Sequence, residues 1–200
     1  MKICRKVDEL RGAKDFYVMS IINQKNTPRC QGDFDMLCGI YSIINGIDLV
    51  TDRKCVRWIM RPRTLFKRSL DFLDERGCDN ITACGLDSED WHALAHHLFG
   101  LIADKGMMRL SRGKTALREL PDRSEDAAGE IDKAVSGGVP VAIYVAKPWD
   151  HYTVVSHIDG DKWTLFDSYG YKSIKRASVG REGSDKRYIL GEKAIFFQPR

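Results

Sequence analysis

The sequence predicts an α+β fold in a single domain over residues 1–200, with a helical half over about 24–137 and an antiparallel sheet over about 138–200. Three observations predict it. Apolar residues at 40, 43, 44 and 47, and again at 91, 94, 95, 98, 101 and 102, recur at the spacing of one helix face. From residue 139 the pattern changes to short runs rich in β-branched and aromatic residues: "VPVAIYVA" (139–146), "HYTVVSHI" (151–158), "KWTLFDS" (162–168) and "KAIFFQ" (193–198). The tight "IDGDK" between two of these runs has the composition of a hairpin turn. Helices first and strands second is an α+β order, not the alternation of a parallel α/β sheet.

Element by element, "DFYVMSIIN" (15–23) has the density of a short strand or buried segment, and "QKNTPRCQGDFD" after it reads as a loop. The first helix opens at Cys38–Gly39. Two more helical stretches, about 55–75 and about 88–103, flank the connection "ERGCDNITACG", and Asp87 or Ser88 can cap the second. Residues 104–123 read as loop with a short strand at "MMRL" (107–110). Ser124 is placed to cap a helix through "EDAAGEIDKAVS", which Gly137 and Gly138 end. No internal repeat or low-complexity segment interrupts the order.

A chain of 200 residues can fill one core, and 43% apolar with 30% charged residues is the composition of a soluble globular protein. A net charge of +4, from 32 basic and 28 acidic residues, is too mild to demand nucleic acid. The basic and aromatic stretch at 53–68 reads as an amphipathic helix with a solvated outer face, so no nucleic-acid partner is expected. No apolar run is long enough to cross a bilayer, and "MKICRKVDELRGAKD" is too charged for the apolar core of a signal peptide. The expectation is a cytoplasmic protein without a membrane partner, with export as an effector the open alternative. Its six cysteines are irregularly spaced, with no CxxC pair, and read as free thiols.

Cys38 is the one set in chemically suggestive surroundings. A thiol at the first turn of a helix feels unpaired backbone N–H groups and the positive end of the helix dipole, both of which favour thiolate. Gly39 beside it lets a carbonyl approach the backbone. A nucleophilic cysteine needs a base and a group that orients the base. His151 opens one strand and Asp167 closes the next, so a hairpin across "DGD" brings the two together. His157, six residues further along the same strand, is the rival base, but it falls at the turn. The bland alternatives are a buried apolar thiol for Cys38, a turn former for Asp167, and core or platform roles for Trp149 and Trp163.

A glutamine upstream of a "CG" helix start, followed late in the chain by a strand-opening His and then an Asp sixteen residues on, resembles papain-like cysteine peptidases. The resemblance covers about 31–47 and 139–170, and is greatest to the compact bacterial branch that includes the bacteriocin-processing double-glycine peptidases. It implies a papain-like fold, a peptide or protein substrate, no cofactor and no metal. By resemblance Cys38 is the nucleophile, His151 the general base and acid, Asp167 its orienter, and Gln31 a donor to the oxyanion hole. Gln31 stands seven residues before Cys38, where the family usually has six. Leu37 stands where the double-glycine branch usually has Asp, with Asp35 two positions further back. A triad of this kind also serves acyltransferases, transglutaminases and deamidases, and the same shape can serve as an inactive peptide-binding module.

One other cluster carries less. His92 and His96 stand four apart on one helix, as zinc ligands can, but their spacing from Cys78 and Cys84 matches no common finger and reads as a solvated face. The remaining five cysteines are expected to be structural.

Overall fold

A computed structural model describes residues 27–31, 36–51, 64–104, 116–121 and 123–197. Within them, N-terminal helices pack against a C-terminal, mostly antiparallel sheet. The helices are α1 (Cys38–Val50), α2 (Leu65–Glu75), a single turn α3 (Ile81–Cys84), α4 (Ser88–Asp104) and α5 (Ser124–Ser136). The strands are β1 (Ala116–Glu119), β2 (Val141–Lys147), β3 (His151–Asp159), β4 (Lys162–Leu165), β5 (Ser173–Lys175), β6 (Val179–Gly180) and β7 (Tyr188–Phe196). Six strands run in the order β1-β7-β2-β3-β4-β5, and short β6 pairs parallel with β7.

Helix α1 is the axis of the helical side. The sequence predicts an apolar stripe, yet Ser42, Asn45, Gly46 and Asp48 are buried along with the isoleucines, because α1 is enclosed between β3, α2 and α4. Enclosure forces each polar group to find a partner. Ser42 donates to the Gly39 carbonyl at 2.8 Å and accepts from Trp91 Nε1 at 3.1 Å. Asp48 takes a bidentate ion pair from Arg29, with the closer contact at 2.7 Å. Gly46 has to be glycine, since a Cβ there would lie 2.1 Å from the buried Phe197 ring.

Strand alternation divides the core in two. Ala142, Tyr144, Tyr152 and Val154 face α1, α2 and α4, and Val141, Ile143 and Val145 face α5. Two expectations are thereby corrected. The "EDAAGEIDKAVS" helix, assigned to the helical half, covers the opposite face of the sheet, where Ala127, Ile131 and Val135 bury its apolar stripe. Residues 116–119, read as loop, form an edge strand on β7, and long-range pairing of that kind leaves little local signature.

Smaller differences follow from local chemistry. Ser124 is the first helical residue of α5 and Arg123 holds the cap position without a side-chain cap. Asp87 does cap α4, its Oδ1 accepting from the Asp90 N–H at 2.8 Å. Gly138 ends α5 with a φ of 76°. The hairpin across Gly160 and Asp161 forms as expected, with Asp159 opposite Lys162. The segment at 15–23, the strand at 107–110, residues 53–63 of the basic stretch and Asp35 lie outside the described residues. No described helix is long and apolar enough to cross a membrane.

Candidate active site

Cys38 is the first residue of α1. Its N-cap position, Leu37, supplies no side-chain cap, and the first turn holds no acidic residue, so the positive end of the helix is not offset from within the helix. Gly39 does not open the way for a carbonyl as expected. A Cβ there would lie 3.1 Å from Leu86 Cδ1 and 3.3 Å from Trp91 Cδ1, and its carbonyl accepts from Trp91 Nε1 at 3.1 Å. Gly39 therefore seats α4 against the start of α1.

His151 opens β3, and Asp167 follows β4 by two residues. Pairing of Val155 with Leu165, and the Phe166 N–H donated to the Val154 carbonyl at 2.8 Å, carry the chain back beside the start of β3. The imidazole Nε2 and Asp167 Oδ2 are 2.7 Å apart. The other carboxylate oxygen, Oδ1, accepts the backbone N–H groups of Tyr169 (2.9 Å), Gly170 (2.9 Å) and Tyr171 (3.0 Å). Asp167 is thus both the turn former and the histidine's partner, one oxygen for each.

The Cys38 side chain lies close enough to His151 to favour the charged imidazole. With Nε2 engaged by Asp167, Nδ1 is the ring nitrogen available to sulfur. Burial works against the imidazolium, but the hydrogen bond to Asp167 and the nearby Cys38 thiol outweigh it and raise the His151 pKa to about 9. Burial likewise works against the Asp167 carboxylate, and its hydrogen bond with His151 prevails, holding the group below the usual carboxylate range. All three residues are nearly enclosed: Cys38 is 6% exposed, His151 5% and Asp167 2%. Cavities of about 590 Å³, against α5, and about 510 Å³, beside β7, include none of them.

Gln31 reaches the same corner from the other direction. Its backbone N–H donates to the Ser168 carbonyl at 3.2 Å, and its Oε1 accepts from Ser168 Oγ at 2.9 Å. The structure therefore brings Cys38, His151 and Asp167 together, and ties Gln31 to the residue next to Asp167. His157 is exposed near the turn, opposite Thr164, and takes no part.

Several neighbours other than Trp149 went unread in the sequence. Tyr171 stands edge-on to His151 with centroids 5.4 Å apart, and Trp149 stacks on Tyr171 at 4.0 Å, so Trp149 reaches the histidine through another ring. Tyr169 is 58% exposed beside them. The signal was present in "DSYGYK": an Asp followed by Gly three residues on is a loop that an Asp side chain organises. Tyr144 donates to Asp150, and burial together with that bond pushes its pKa up to about 12. Trp163 is a core residue, as expected, and bonds Asp132 at 2.7 Å.

The remaining clusters resolve differently from expectation. Cys30 and Cys84 are exposed thiols, not structural ones, while Cys78 Sγ bonds Asp90 at 3.0 Å. Cys4 and Cys55 lie outside the described residues. His96 is exposed, as expected, but His92 is half-buried, and that burial lowers its pKa to about 4. Among the described residues no three His, Cys, Asp or Glu side chains gather in a way that could hold a metal ion. No protein-family model, curated protein or solved structure matches the chain.

Proposed function

We propose that the protein is a papain-like thiol hydrolase that cleaves a peptide or amide bond through Cys38, His151 and Asp167. The observation that carries this reading is the buried His151–Asp167 pair at 2.7 Å, with the Cys38 thiol, from a third distant segment at a helix start, near enough to act on the same imidazole. A buried His–Asp pair costs desolvation, and a thiol on the same ring gives that cost a chemical use.

In the proposed cycle Cys38 passes its proton to His151 and its sulfur attacks the substrate carbonyl. The Cys38 backbone N–H, joined by Gln31, stabilises the oxyanion that forms. The imidazolium then protonates the departing amine as the carbon–nitrogen bond breaks. Water, deprotonated by His151, attacks the thioester and releases the acid with regeneration of the thiol. Asp167 holds the ring throughout, and the three backbone donors on its Oδ1 hold Asp167.

One observation favours a second reading, a papain-shaped module that grips a peptide without turnover: the sulfur-bearing residue is only 6% exposed. Iodoacetamide separates the two. Hydrolase chemistry predicts rapid alkylation mapped to Cys38, slowed about 100-fold or more in His151→Ala. Equal rates in the two proteins would remove the hydrolase reading.

A further inference from the structure

The cavity of about 510 Å³ beside β7 is bounded by the end of β2, the loop at 181–187 and the start of β7. Its walls carry four cationic side chains, Lys147, Arg181, Lys186 and Arg187, against two acidic ones, Glu182 and Glu192. Local backbone geometry gathers them. The β2–β7 register shifts twice before Lys147 meets Ile189, and such irregularities re-aim side chains at the end of a ladder. The loop turns at Gly183, with a φ of 85°, and folds back over Gly180, where a Cβ would lie 2.1 Å from Ser184 Oγ. Arg181, 7% exposed, donates to the Leu190 carbonyl at 3.2 Å and to that of Gly191, which fixes its charge in the wall.

Two features of this wall have no explanation in the fold itself. Ser184 Oγ is buried without a hydrogen-bond partner among the described residues, a cost that native structures normally avoid. Lys147 and Lys186 form no ion pair among the described residues, and Arg187 lies over the Tyr188 ring at 5.3 Å. Like charges gathered in a concavity focus a positive potential there. The excess of cations over carboxylates suits a phosphate monoester, which carries about −1.5 to −2 charge near neutral pH and offers only acceptor oxygens to the lysines and the hydroxyl. The volume falls among small-molecule sites, about 300–1,000 Å³, and Ala146 and Ile189 give an organic group an apolar wall.

We propose that this cavity binds a small-molecule phosphate monoester, its phosphoryl group held by the Ser184 hydroxyl and the side chains of Lys147, Lys186 and Arg187. The site stands independently of the hydrolase reading.

Calorimetric titration of the full chain with phenyl phosphate at low ionic strength tests it. One molecule is expected to bind per chain, about tenfold or more tighter than inorganic phosphate or benzoate. Lys186→Gln should weaken binding about tenfold, the loss of one charge-assisted hydrogen bond, and Ser184→Ala about threefold or more. Lys67→Gln, which removes the same charge from α2, should leave the affinity within about twofold. Without ligand, Ser184→Ala should unfold in urea no earlier than the parent, since it removes an unpaired buried hydroxyl. The proposal is overturned if phenyl phosphate shows no saturable binding, if Lys67→Gln weakens it as much as Lys186→Gln, or if Ser184→Ala binds like the parent or unfolds earlier. Equal affinity for inorganic phosphate would assign the cavity to the free ion, and equal affinity for benzoate to carboxylates; either result overturns the ester.

Discussion

Asp167 divides its two oxygens between the His151 ring and the N–H groups of residues 169–171, which fixes the imidazole by way of the loop. Removing the charge while keeping the shape tests this. Asp167→Asn should bring the His151 pKa down from about 9 toward its ordinary 6.5, because the carboxylate's hydrogen bond and charge are what offset burial. Titration of the His151 ring protons by NMR would show the change, and an unmoved midpoint would contradict it. The same shift has a stability consequence with a definite sign. A pKa raised on folding stabilises the native state fully below about 6.5 and ceases to do so as pH rises through about 9. His92 acts in the opposite sense, its contribution present above 6.5 and lost as pH falls toward about 4. Melting temperature measured across pH 4 to 10 should therefore fall at both ends, with His151→Gln flattening the alkaline side.

At the scale of elements, α1 is held by shape on one side and by charge on the other. Gly46 admits the Phe197 ring, so Gly46→Ala must displace a fully buried phenyl group. Overpacking of this kind costs about 1–3 kcal/mol, more than the roughly 1 kcal/mol by which alanine improves helix propensity, so net destabilisation is expected in urea unfolding. On the far side, Arg29→Ala would leave the fully buried Asp48 without its guanidinium partner. Breaking a buried pair from one side costs about 3 kcal/mol, and the partly exposed arginine places the effect at the lower end of that range.

Over the whole molecule, β2 and β3 belong to both cores, with alternate residues committed to α1 on one face and α5 on the other. Neither core can be lost without stripping strands that the other needs. Unfolding should accordingly be one cooperative transition. Trp91 lies in the core on the α1 side and Trp163 in the core on the α5 side, so single-tryptophan variants offer a probe on each face. Their urea midpoints should coincide with each other and with far-UV circular dichroism; separated midpoints would show that the faces unfold independently.

What the chain reveals without a structure is whatever short-range pattern encodes. Isoleucines three and four apart announce α1, β-branched runs announce β2, β3 and β4, and the two-residue turn at Gly160–Asp161 brings the start of β3 beside the end of β4, so the meeting of His151 with Asp167 could be anticipated. The edge strand at 116–119, the face covered by α5, the burial of Asp48 and the Ser168–Gln31 contact across 137 residues could not. Local periodicity states which side of an element is apolar, but not which distant surface will cover it. That choice belongs to packing, where each buried polar group must find a partner wherever the folded chain happens to supply one.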